Sequence, residues 1–275
     1  MLKEETVELL RRFGVAADPS KDEQHLVDAD VVKRMIDAAD AGTDDAVLEV
    51  GPGAGNITLR LAEKAHRVYV VEKNPKFIPI LKERLGGLRN VEVVEGDALI
   101  VELPTFDKVV SNLPYSISEA FIQRLTRRSF KAASLLVSTS FAGVLLAGEG
   151  DADYSRLSFS SNLFFDVKLV EQVPPSAYYP EPKTSTSLLS LRPRQVSSSA
   201  ESVMRGVMLR GDKKLKNALM DAVIAASPAY GTPSTKRTAK KYVEKLEIGK
   251  EAEARVARLP LRILERVYGG LRLLT

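Results

Sequence analysis

The 275-residue sequence contains no cysteine and only two histidines, His25 and His66. The absence of cysteine excludes a disulfide framework, a thiolate zinc site and a cysteine nucleophile, and it fits a reducing compartment. With so few histidines we expect no metal site. No apolar run reaches the roughly 18 residues that a membrane span needs, and the charged start MLKEETVELLRRFG is typical of an amphipathic helix rather than a signal peptide. We therefore expect a cytoplasmic protein that does not contact membranes.

Acidic residues are scarce in the last quarter of the chain. Residues 201–275 hold 16 Lys and Arg but 8 Asp and Glu, a net charge of +8, so the rest of the chain carries −4. Such asymmetry favours a polyanionic partner, commonly a nucleic acid. A solvated helical surface would give the same charge pattern, and charge alone leaves both interpretations open.

From residue 46 onward, short apolar runs alternate with amphipathic segments. This spacing predicts right-handed β-α-β units, a parallel sheet and an α/β fold. Pro79 is expected to disturb the second helix, and Ser118 to cap the third. The predicted strands are 46–51, 67–72, 91–97, 108–115 and 132–140. The predicted helices are 56–65, 74–85, 118–128 and about 153–164.

The pattern changes after these units. Residues 166–194 contain two extended segments around a proline-rich turn, which we expect to close the sheet as an antiparallel pair. The polar stretch RPRQVSSSA (192–200) is typical of a linker, and helical segments follow it. We therefore predict one domain over residues 1–194 and a small helical domain over 195–275.

A glycine-rich turn follows the first predicted strand. EVGPGAGN places Gly51, Gly53 and Gly55 between a strand and a helix, where glycine lets the backbone approach a ligand closely. Their G-x-G-x-G spacing differs from the G-x-G-x-x-G of nicotinamide dinucleotide folds, which disfavours a dehydrogenase.

Acidic residues end the next two predicted strands. Glu72 is placed to accept hydrogen bonds from both hydroxyls of a ribose, and Asp97 to lie beside an adenine edge. Each feature alone has an ordinary structural explanation, a tight turn or a solvated carboxylate. Because the carboxyl ends of parallel strands share one sheet edge, the three features together favour a nucleoside ligand. The arrangement resembles the S-adenosylmethionine (SAM) methyltransferases of Rossmann-like fold.

The fourth predicted strand ends in Asn112-Leu113-Pro114-Tyr115. An exocyclic purine amine is a poor nucleophile, and a site can assist it by accepting both amine hydrogens. The Asn112 side-chain carbonyl is one candidate acceptor, and the backbone carbonyl of Leu113 or Pro114 is the other. Proline stiffens the segment, and the Tyr115 ring offers a stacking face for the base. A strand-ending turn with a packed tyrosine is the alternative.

The motifs EVGPGAG, VVEKN, EGDAL and NLPYSIS, in this order, resemble the small-subunit ribosomal RNA adenine dimethyltransferases, the KsgA family, in their archaeal-like form. DYSRLSF and VPPSAYYPEPKTSTSLLSLRP are similar to later segments of that family, so the resemblance covers about residues 20–194. It implies a Rossmann-like SAM-dependent methyltransferase sheet with a small helical C-terminal domain. It also implies dimethylation of two adjacent adenosines near the 3′ end of small-subunit rRNA during ribosome assembly, with SAM and without metal.

Carried over by position, the resemblance assigns two sets of residues. The catalytic set is Asn112, Leu113, Pro114, Tyr115 and Phe141. The cofactor set is Gln24, Leu26, Gly51, Gly53, Glu72, Asp97 and Asn112. This chain departs from the family in DEQHLVD, with Glu23 at a glutamine position and His25 at a phenylalanine position, and in STSFAGVL, where Thr139 and Ser140 replace a charged pair. Core packing is the alternative for Phe141.

The basic C-terminal domain is expected to bind rRNA or the small ribosomal subunit through phosphate contacts. The candidates are Lys213, Lys214, Lys216, Lys236, Arg237, Lys240 and Lys241. We expect a monomer. The VPPSAYYPEP segment and the small basic domain disfavour a large-subunit rRNA methyltransferase. The single proline of NLPY disfavours a DNA adenine methyltransferase. A non-catalytic RNA-binding assembly factor on the same scaffold is the alternative from a different class.

Overall fold

The computed structural model describes residues 2–18 and 23–274. The chain divides into two compact units. The first comprises the chain up to Leu146 together with Asp166–Pro193, and the second comprises Ala147–Phe165 together with the chain from Arg194. The helical segment around 156–164, which the sequence placed in the first domain, thus belongs to the second compact unit.

The strands of the structure follow the predicted alternation closely; β3 has the predicted bounds, and the other four predicted strands end one to three residues earlier. They are β1 His25–Leu26, β2 Ala46–Val50, β3 Arg67–Glu72, β4 Val91–Glu95, β5 Lys108–Asn112, β6 Ala132–Ser138, β7 Phe165–Val173, β8 Tyr178–Tyr179 and β9 Thr186–Pro193. The helices are α1 Leu2–Arg12, α2 Ala29–Ala38, α3 Asn56–Ala62, α4 Ile78–Leu85, α5 Ser118–Leu125, α6 Thr139–Leu146, α7 Arg156–Phe164, α8 Ser199–Met208, α9 Leu215–Tyr230, α10 Lys236–Glu244 and α11 Leu261–Leu273.

Seven strands form one sheet in the order β4-β3-β2-β5-β6-β9-β7. The pairs β2–β3, β3–β4, β2–β5 and β5–β6 are parallel, which confirms the predicted α/β fold. β6 and β9 pair antiparallel, as expected for the closing segments. The strand order reverses between β2 and β5, and open parallel sheets bind ligands outside the carboxyl ends of their strands at such a point.

Buried aliphatic side chains hold the first unit together. One cluster joins α2 and α3 to β3 and β5 and includes Met35, Leu61, Val68 and Val110. A second cluster joins α1 to α4 and includes Leu10, which confirms α1 as the amphipathic helix of the sequence. Since burying each such side chain contributes about 1.5–3 kcal/mol, these clusters fix the positions of the loops at the sheet edge.

Two local predictions about helix starts are wrong. Pro79 does not disturb its helix, because α4 begins at Ile78 and places the proline in the first turn, where a missing N–H costs nothing. Ser118 is not an N-cap; it is the first residue of α5, and its hydroxyl donates to the Pro114 carbonyl at 2.9 Å. The hydroxyl thus closes the turn in front of the helix.

The second unit is helical in its described part. α7 packs in it through Phe159, whose ring meets Tyr268 of α11 edge-on at 6.0 Å between centroids. Arg156 of α7 donates to the Leu259 carbonyl at 3.0 Å. α8 and α9 bury apolar faces that include Val203, Met204 and Leu219.

Candidate active site

A cavity of about 410 Å³ opens at the carboxyl ends of β2, β3 and β5, beside the point where the strand order reverses. Its volume lies in the range of small-molecule and cofactor sites. All seven residues of the predicted cofactor set line it, together with Pro114. The sheet therefore brings together residues that are as far apart in sequence as Gln24 and Asn112.

The loop between β2 and α3 forms one wall of the cavity, and all three of its glycines have a positive φ, 68° at Gly51, 53° at Gly53 and 82° at Gly55. A Cβ on Gly51 would lie 3.0 Å from Cγ of Pro114, and one on Gly53 would lie 2.8 Å from Nδ1 of His25. Only glycine combines this backbone conformation with so close an approach. The glycine loop thus packs directly against Pro114 and His25, which line other sides of the same cavity.

Glu72 lies at the end of β3 with only 6% of its surface exposed. One carboxylate oxygen accepts the backbone N–H of Asn74 at 2.6 Å, and the other accepts the N–H of Gly53 at 3.2 Å. Burial raises the pKa of Glu72, while the backbone donors lower it. Each oxygen keeps a lone pair for a further donor, so the carboxylate is held in place to receive a pair of hydroxyls.

Asp97 follows β4 on the same edge. Its Oδ1 accepts the N–H of Leu99 at 2.8 Å, and its Oδ2 accepts Nζ of Lys73 at 2.9 Å. The hydrogen bond from Lys73 is the main cause that holds the pKa of Asp97 below its usual value, so the side chain is an anion at neutral pH. An ionised carboxylate here can accept a hydrogen bond from an amine on a ligand edge.

Asn112 ends β5, and its side-chain amide has a defined orientation. Nδ2 donates to the backbone carbonyl of Gln24 at 3.2 Å, so Oδ1 is the atom that stays available as an acceptor. The adjacent Leu113 is buried, and its N–H donates to the Leu136 carbonyl at 3.0 Å. This arrangement holds the strand end rigidly at the cavity.

The structure separates the two backbone carbonyls that the sequence left as alternative acceptors. The Pro114 carbonyl already accepts the Ser118 hydroxyl at 2.9 Å and the Ile117 N–H at 3.2 Å. The Leu113 carbonyl has no hydrogen-bond partner among the described residues. Leu113 therefore provides the second available acceptor beside Asn112.

Residues 23–26, which we call the strap, contact loops from several strands of the sheet. Glu23 Oε1 accepts Nδ2 of Asn74 at 2.9 Å, beyond β3. The Leu26 carbonyl accepts Nδ2 of Asn56 at 2.8 Å, at the start of α3. With the Gln24 contact to Asn112, these hydrogen bonds join the strap to the loop after β3, the start of α3 and the end of β5. Asn56 and Asn74 lie within the stretches EVGPGAGN and VVEKN, but no role was predicted for either side chain.

The two strap residues that depart from the family pattern are buried, Glu23 at 5% and His25 at 6% exposure. His25 Nδ1 accepts the Ala54 N–H at 3.3 Å, and its ring meets Phe77 edge-on at 5.2 Å. Burial, with the nearby Arg84, lowers the pKa of His25 to about 4, so the imidazole is neutral at physiological pH. A neutral aromatic ring here can pack as phenylalanine would and also accept a hydrogen bond from the glycine loop.

Tyr115 and Phe141 are half-buried and do not line the cavity. Phe141 lies in the first turn of α6, and its N–H donates to the Ser138 hydroxyl at 3.3 Å. Thr139, in place of a charged residue of the family, donates to the Ser185 carbonyl at 2.9 Å. The hydroxyl-rich STS segment thus closes the start of α6, and the proposed contact of Tyr115 and Phe141 with a base stays a prediction.

The predicted RNA-binding residues fall into two groups. Lys213 pairs with Asp221 at 2.6 Å, and Lys214 and Lys216 both pair with Glu253. The other four, on α10, are exposed. Of these, Lys240 lies 4.0 Å from Glu244, and the remaining three have no ion pair among the described residues. α10 therefore presents the more available positive charge.

Glu49 is a buried group that the sequence reading missed. It lies in β2, 1% exposed, and accepts the Thr58 hydroxyl at 2.6 Å. Burial raises its pKa to about 8, so the carboxyl is largely protonated at neutral pH. The apolar run from residue 46 to 51 predicted a strand, and this pattern does not show whether a glutamate within the run is buried or exposed.

The family model described as ribosomal RNA adenine dimethylase matches residues 17–248. The chain belongs to this family. A relative from Methanosarcina barkeri, named a probable ribosomal RNA small subunit methyltransferase A, is 36% identical over 219 residues, which cover 78% of this chain and 76% of that protein. A relative of the same name from Methanothermobacter thermautotrophicus is 37% identical over 220 residues and covers 79% of this chain and 80% of its own length.

A solved structure agrees with this membership. A dimethyladenosine transferase from Plasmodium falciparum superposes with a TM-score of 0.60 and 29% identity, covering 88% of this chain and 96% of that one. The 23S rRNA methyltransferase ErmE, with a TM-score of 0.60 and 24% identity over 90% of this chain and 99% of its own, shares the fold. The methyltransferase assignment made from the motifs is thereby confirmed.

Within residues 2–18 and 23–274, no three His, Asp or Glu side chains converge as metal ligands. None of the described helices is both long and apolar enough to cross a membrane.

Proposed function

We propose that the protein transfers methyl groups from SAM to the N6 amines of two adjacent adenosines near the 3′ end of small-subunit rRNA, during ribosome biogenesis. Family membership and the names of the archaeal relatives support this proposal. The observation that carries it is the end of β5, where Asn112 lines the cavity with Oδ1 as an available acceptor and the carbonyl of the adjacent Leu113 has no hydrogen-bond partner among the described residues.

The cavity residues fit SAM. The positive-φ glycines leave a cradle that a Cβ would fill, and the buried Glu72 offers lone pairs suited to the two ribose hydroxyls. Asp97 would accept from the adenine edge, and Gln24 and Leu26 of the strap line the same cavity and would contact the cofactor. When bound, SAM supplies a methyl group on a sulfonium, which is a strong electrophile.

The acceptors at the end of β5 would orient the target amine. Accepting both amine hydrogens turns the nitrogen lone pair away from the purine ring, so that it can attack a methyl group in line. This chemistry depends on positioning more than on a strong base. Tyr115 and Phe141 would flank the target base, and each stacking contact contributes about 1–3 kcal/mol.

For the substrate, we propose that the second unit contacts rRNA phosphates of the small ribosomal subunit. The exposed basic face of α10 supports this, since phosphate contacts by Lys and Arg dominate affinity for nucleic acids. We further propose that the protein acts in the cytoplasm, as a monomer.

The decisive experiment is incubation of the protein with labelled SAM and undermethylated small ribosomal subunits, followed by nucleoside mass spectrometry. We expect N6,N6-dimethyladenosine at two adjacent positions, with large subunits unmodified in parallel. Calorimetry with SAM distinguishes the enzyme from the alternative, because absence of SAM binding would favour a non-catalytic assembly factor. An assembly factor without catalysis would bind the subunit and yield no dimethyladenosine, and modification of large subunits instead would reject the proposed substrate.

A further inference from the structure

The strap replaces a neutral glutamine of the family pattern with Glu23, and this places a second buried carboxylate near Glu72. Neither carboxylate is isolated. Asn74 lies between them, with its side-chain Nδ2 on Glu23 Oε1 at 2.9 Å and its backbone N–H on Glu72 Oε1 at 2.6 Å. One residue thus joins the strap to the carboxylate proposed to receive the ribose.

Both ends of this chain of hydrogen bonds are anchored. Glu23 Oε2 accepts the N–H of Asp18 at 2.9 Å, and Glu72 Oε2 accepts the N–H of Gly53 at 3.2 Å. Asn74 Oδ1 in turn accepts the N–H of Lys76 at 3.1 Å. Every polar atom of the Asn74 side chain is therefore engaged, which fixes its backbone N–H in the direction of Glu72.

We propose that Glu23 is a positioning residue that acts through Asn74 to hold Glu72 in its cofactor-binding geometry. This inference rests on the proposed function, because it takes Glu72 to bind the cofactor ribose. Glu23 and Asn74 both line the cavity, and the proposed effect of Glu23 on the ribose site passes through Asn74 to Glu72. The glutamate accepts with both oxygens, one from Asn74 and one from Asp18, whereas a glutamine would have only one side-chain oxygen to offer.

The negative charge of Glu23 also affects the pKa of Glu72. Burial is the main cause of the raised pKa of Glu72, and repulsion from Glu23 adds to it. Other charged or titratable groups near the pair are Lys76, whose Nζ lies 4.0 Å from Glu23, and the ion pair of Lys73 with Asp97. Glu49 and His25 are both largely neutral at pH 7. Removal of the Glu23 charge should therefore lower the pKa of Glu72.

The first test is a double-mutant cycle with S-adenosylhomocysteine as the ligand, measured by calorimetry at pH 8. Glu23→Ala and Asn74→Ala should each weaken binding about tenfold, the effect of one lost hydrogen bond to a charged group. Because both act on Glu72 through one contact, the double variant should be no weaker than the weaker single variant. A loss of about a hundredfold in the double variant would show independent roles and overturn the proposal.

The second test uses Glu23→Gln, which removes the charge but keeps an acceptor for Asn74. At pH 8 its affinity should stay within about threefold of the wild type. On acidification, its loss of binding should be shifted to lower pH, because Glu72 ionises more readily without the neighbouring Glu23 charge. An unshifted pH profile would contradict the role of the Glu23 charge, even if Glu23→Ala fails to fold.

Glu95→Gln is the matched control. Glu95 ends β4, is exposed and pairs with Lys82 at 2.7 Å, so this variant removes one charge from the same sheet edge without touching the cavity. It should leave both affinity and pH profile unchanged. If the wild type itself does not bind S-adenosylhomocysteine at any pH, the proposed function fails; if it binds and the variants behave additively, only the inference about Glu23 fails.

Discussion

At the scale of single residues, one hydrogen bond to a backbone carbonyl determines which atom of the Asn112 side chain remains an available acceptor. An asparagine amide offers a donor and an acceptor, and the proposed reaction requires the acceptor. Donation of Nδ2 to the Gln24 carbonyl leaves Oδ1 available as that acceptor. The sequence predicts the asparagine, whereas the contact that orients it comes from a residue 88 positions away.

Asn112→Ala should abolish most methyl transfer while leaving cofactor binding partly intact. Loss of one oriented acceptor at the reacting amine is expected to lower the rate about 100-fold or more. The measurement is single-turnover transfer to small subunits, with calorimetry for S-adenosylhomocysteine. Gln123→Ala, on the exposed face of α5, serves as the control and should react as the wild type does. Wild-type turnover in Asn112→Ala would refute the role given to this side chain.

Glu49 predicts a pH dependence of stability. Its pKa in the folded protein is about 8, above the ordinary value of 4.5. The folded state therefore binds the proton more tightly, and its stabilising effect is complete below pH 4.5 and is lost as pH rises through 8. Between these values the free energy of unfolding should fall by up to about 1.4 kcal/mol per pH unit because of this group.

Glu49→Gln should remove this contribution, because a neutral amide has no proton to lose and its oxygen can still accept the Thr58 hydroxyl. Urea unfolding at pH 5 and pH 8 measures the difference. We expect the wild type to lose more stability than Glu49→Gln over this interval. Glu92→Gln, which changes an exposed carboxylate of β4, should keep the wild-type pH dependence. Parallel pH profiles for wild type and Glu49→Gln would count against a buried, protonated Glu49.

At the scale of elements, the structure separates the basic residues of the C-terminal segment into those that form ion pairs and those that are exposed on α10. Glu253 accepts both Lys214 and Lys216, which lower its pKa to about 2. The sequence shows these lysines and those of α10 as equivalent, because ion pairs across 37 or more residues are not visible in it. Only the folded helices show that Lys236, Arg237 and Lys241 face solvent without an acidic partner among the described residues.

Alanine replacement of the four basic residues of α10 should therefore weaken binding to small-subunit rRNA more than replacement of Lys213, Lys214 and Lys216. Each lost phosphate contact should also reduce the slope of log affinity against log salt by about 0.7–0.9. Filter binding at several salt concentrations measures both effects. Equal effects of the two replacements would indicate that the ion pairs open on binding, and no change in either would reject the RNA contact.

At the scale of the whole molecule, the compact units do not follow the chain order. The segment 147–165 interrupts the first unit in sequence but packs with the C-terminal residues. Linker composition suggested one boundary near 194, because RPRQVSSSA is polar and contains no apolar pattern. The two earlier crossings, near residues 147 and 165, were not predicted. The polar stretch GEGDAD follows the first of them, but the apolar sequence around residue 165 has no linker composition.

A chain shortened to residues 1–194 should consequently expose an apolar surface. Phe159 and Leu163 of α7 are each 5% exposed in the full protein, and Phe159 would lose its contact with Tyr268. We expect binding of a hydrophobic dye and self-association in gel filtration. Replacement of Phe159 and Leu163 by serine in the same shortened chain should reduce both. A shortened chain that stays monomeric and binds no dye would contradict this account of α7.

The sequence by itself determined the α/β class, the order of strands and helices, and seven of the residues at the cavity, because hydrophobic periodicity and short motifs are local properties of the chain. The tertiary structure decided which of two backbone carbonyls stays available, how Asn112 is oriented and how Glu23 connects to Glu72. It also decided which lysines are already paired and where α7 packs. These features depend on hydrogen bonds, ion pairs and apolar contacts between residues far apart in the chain, and such contacts leave no pattern in neighbouring residues.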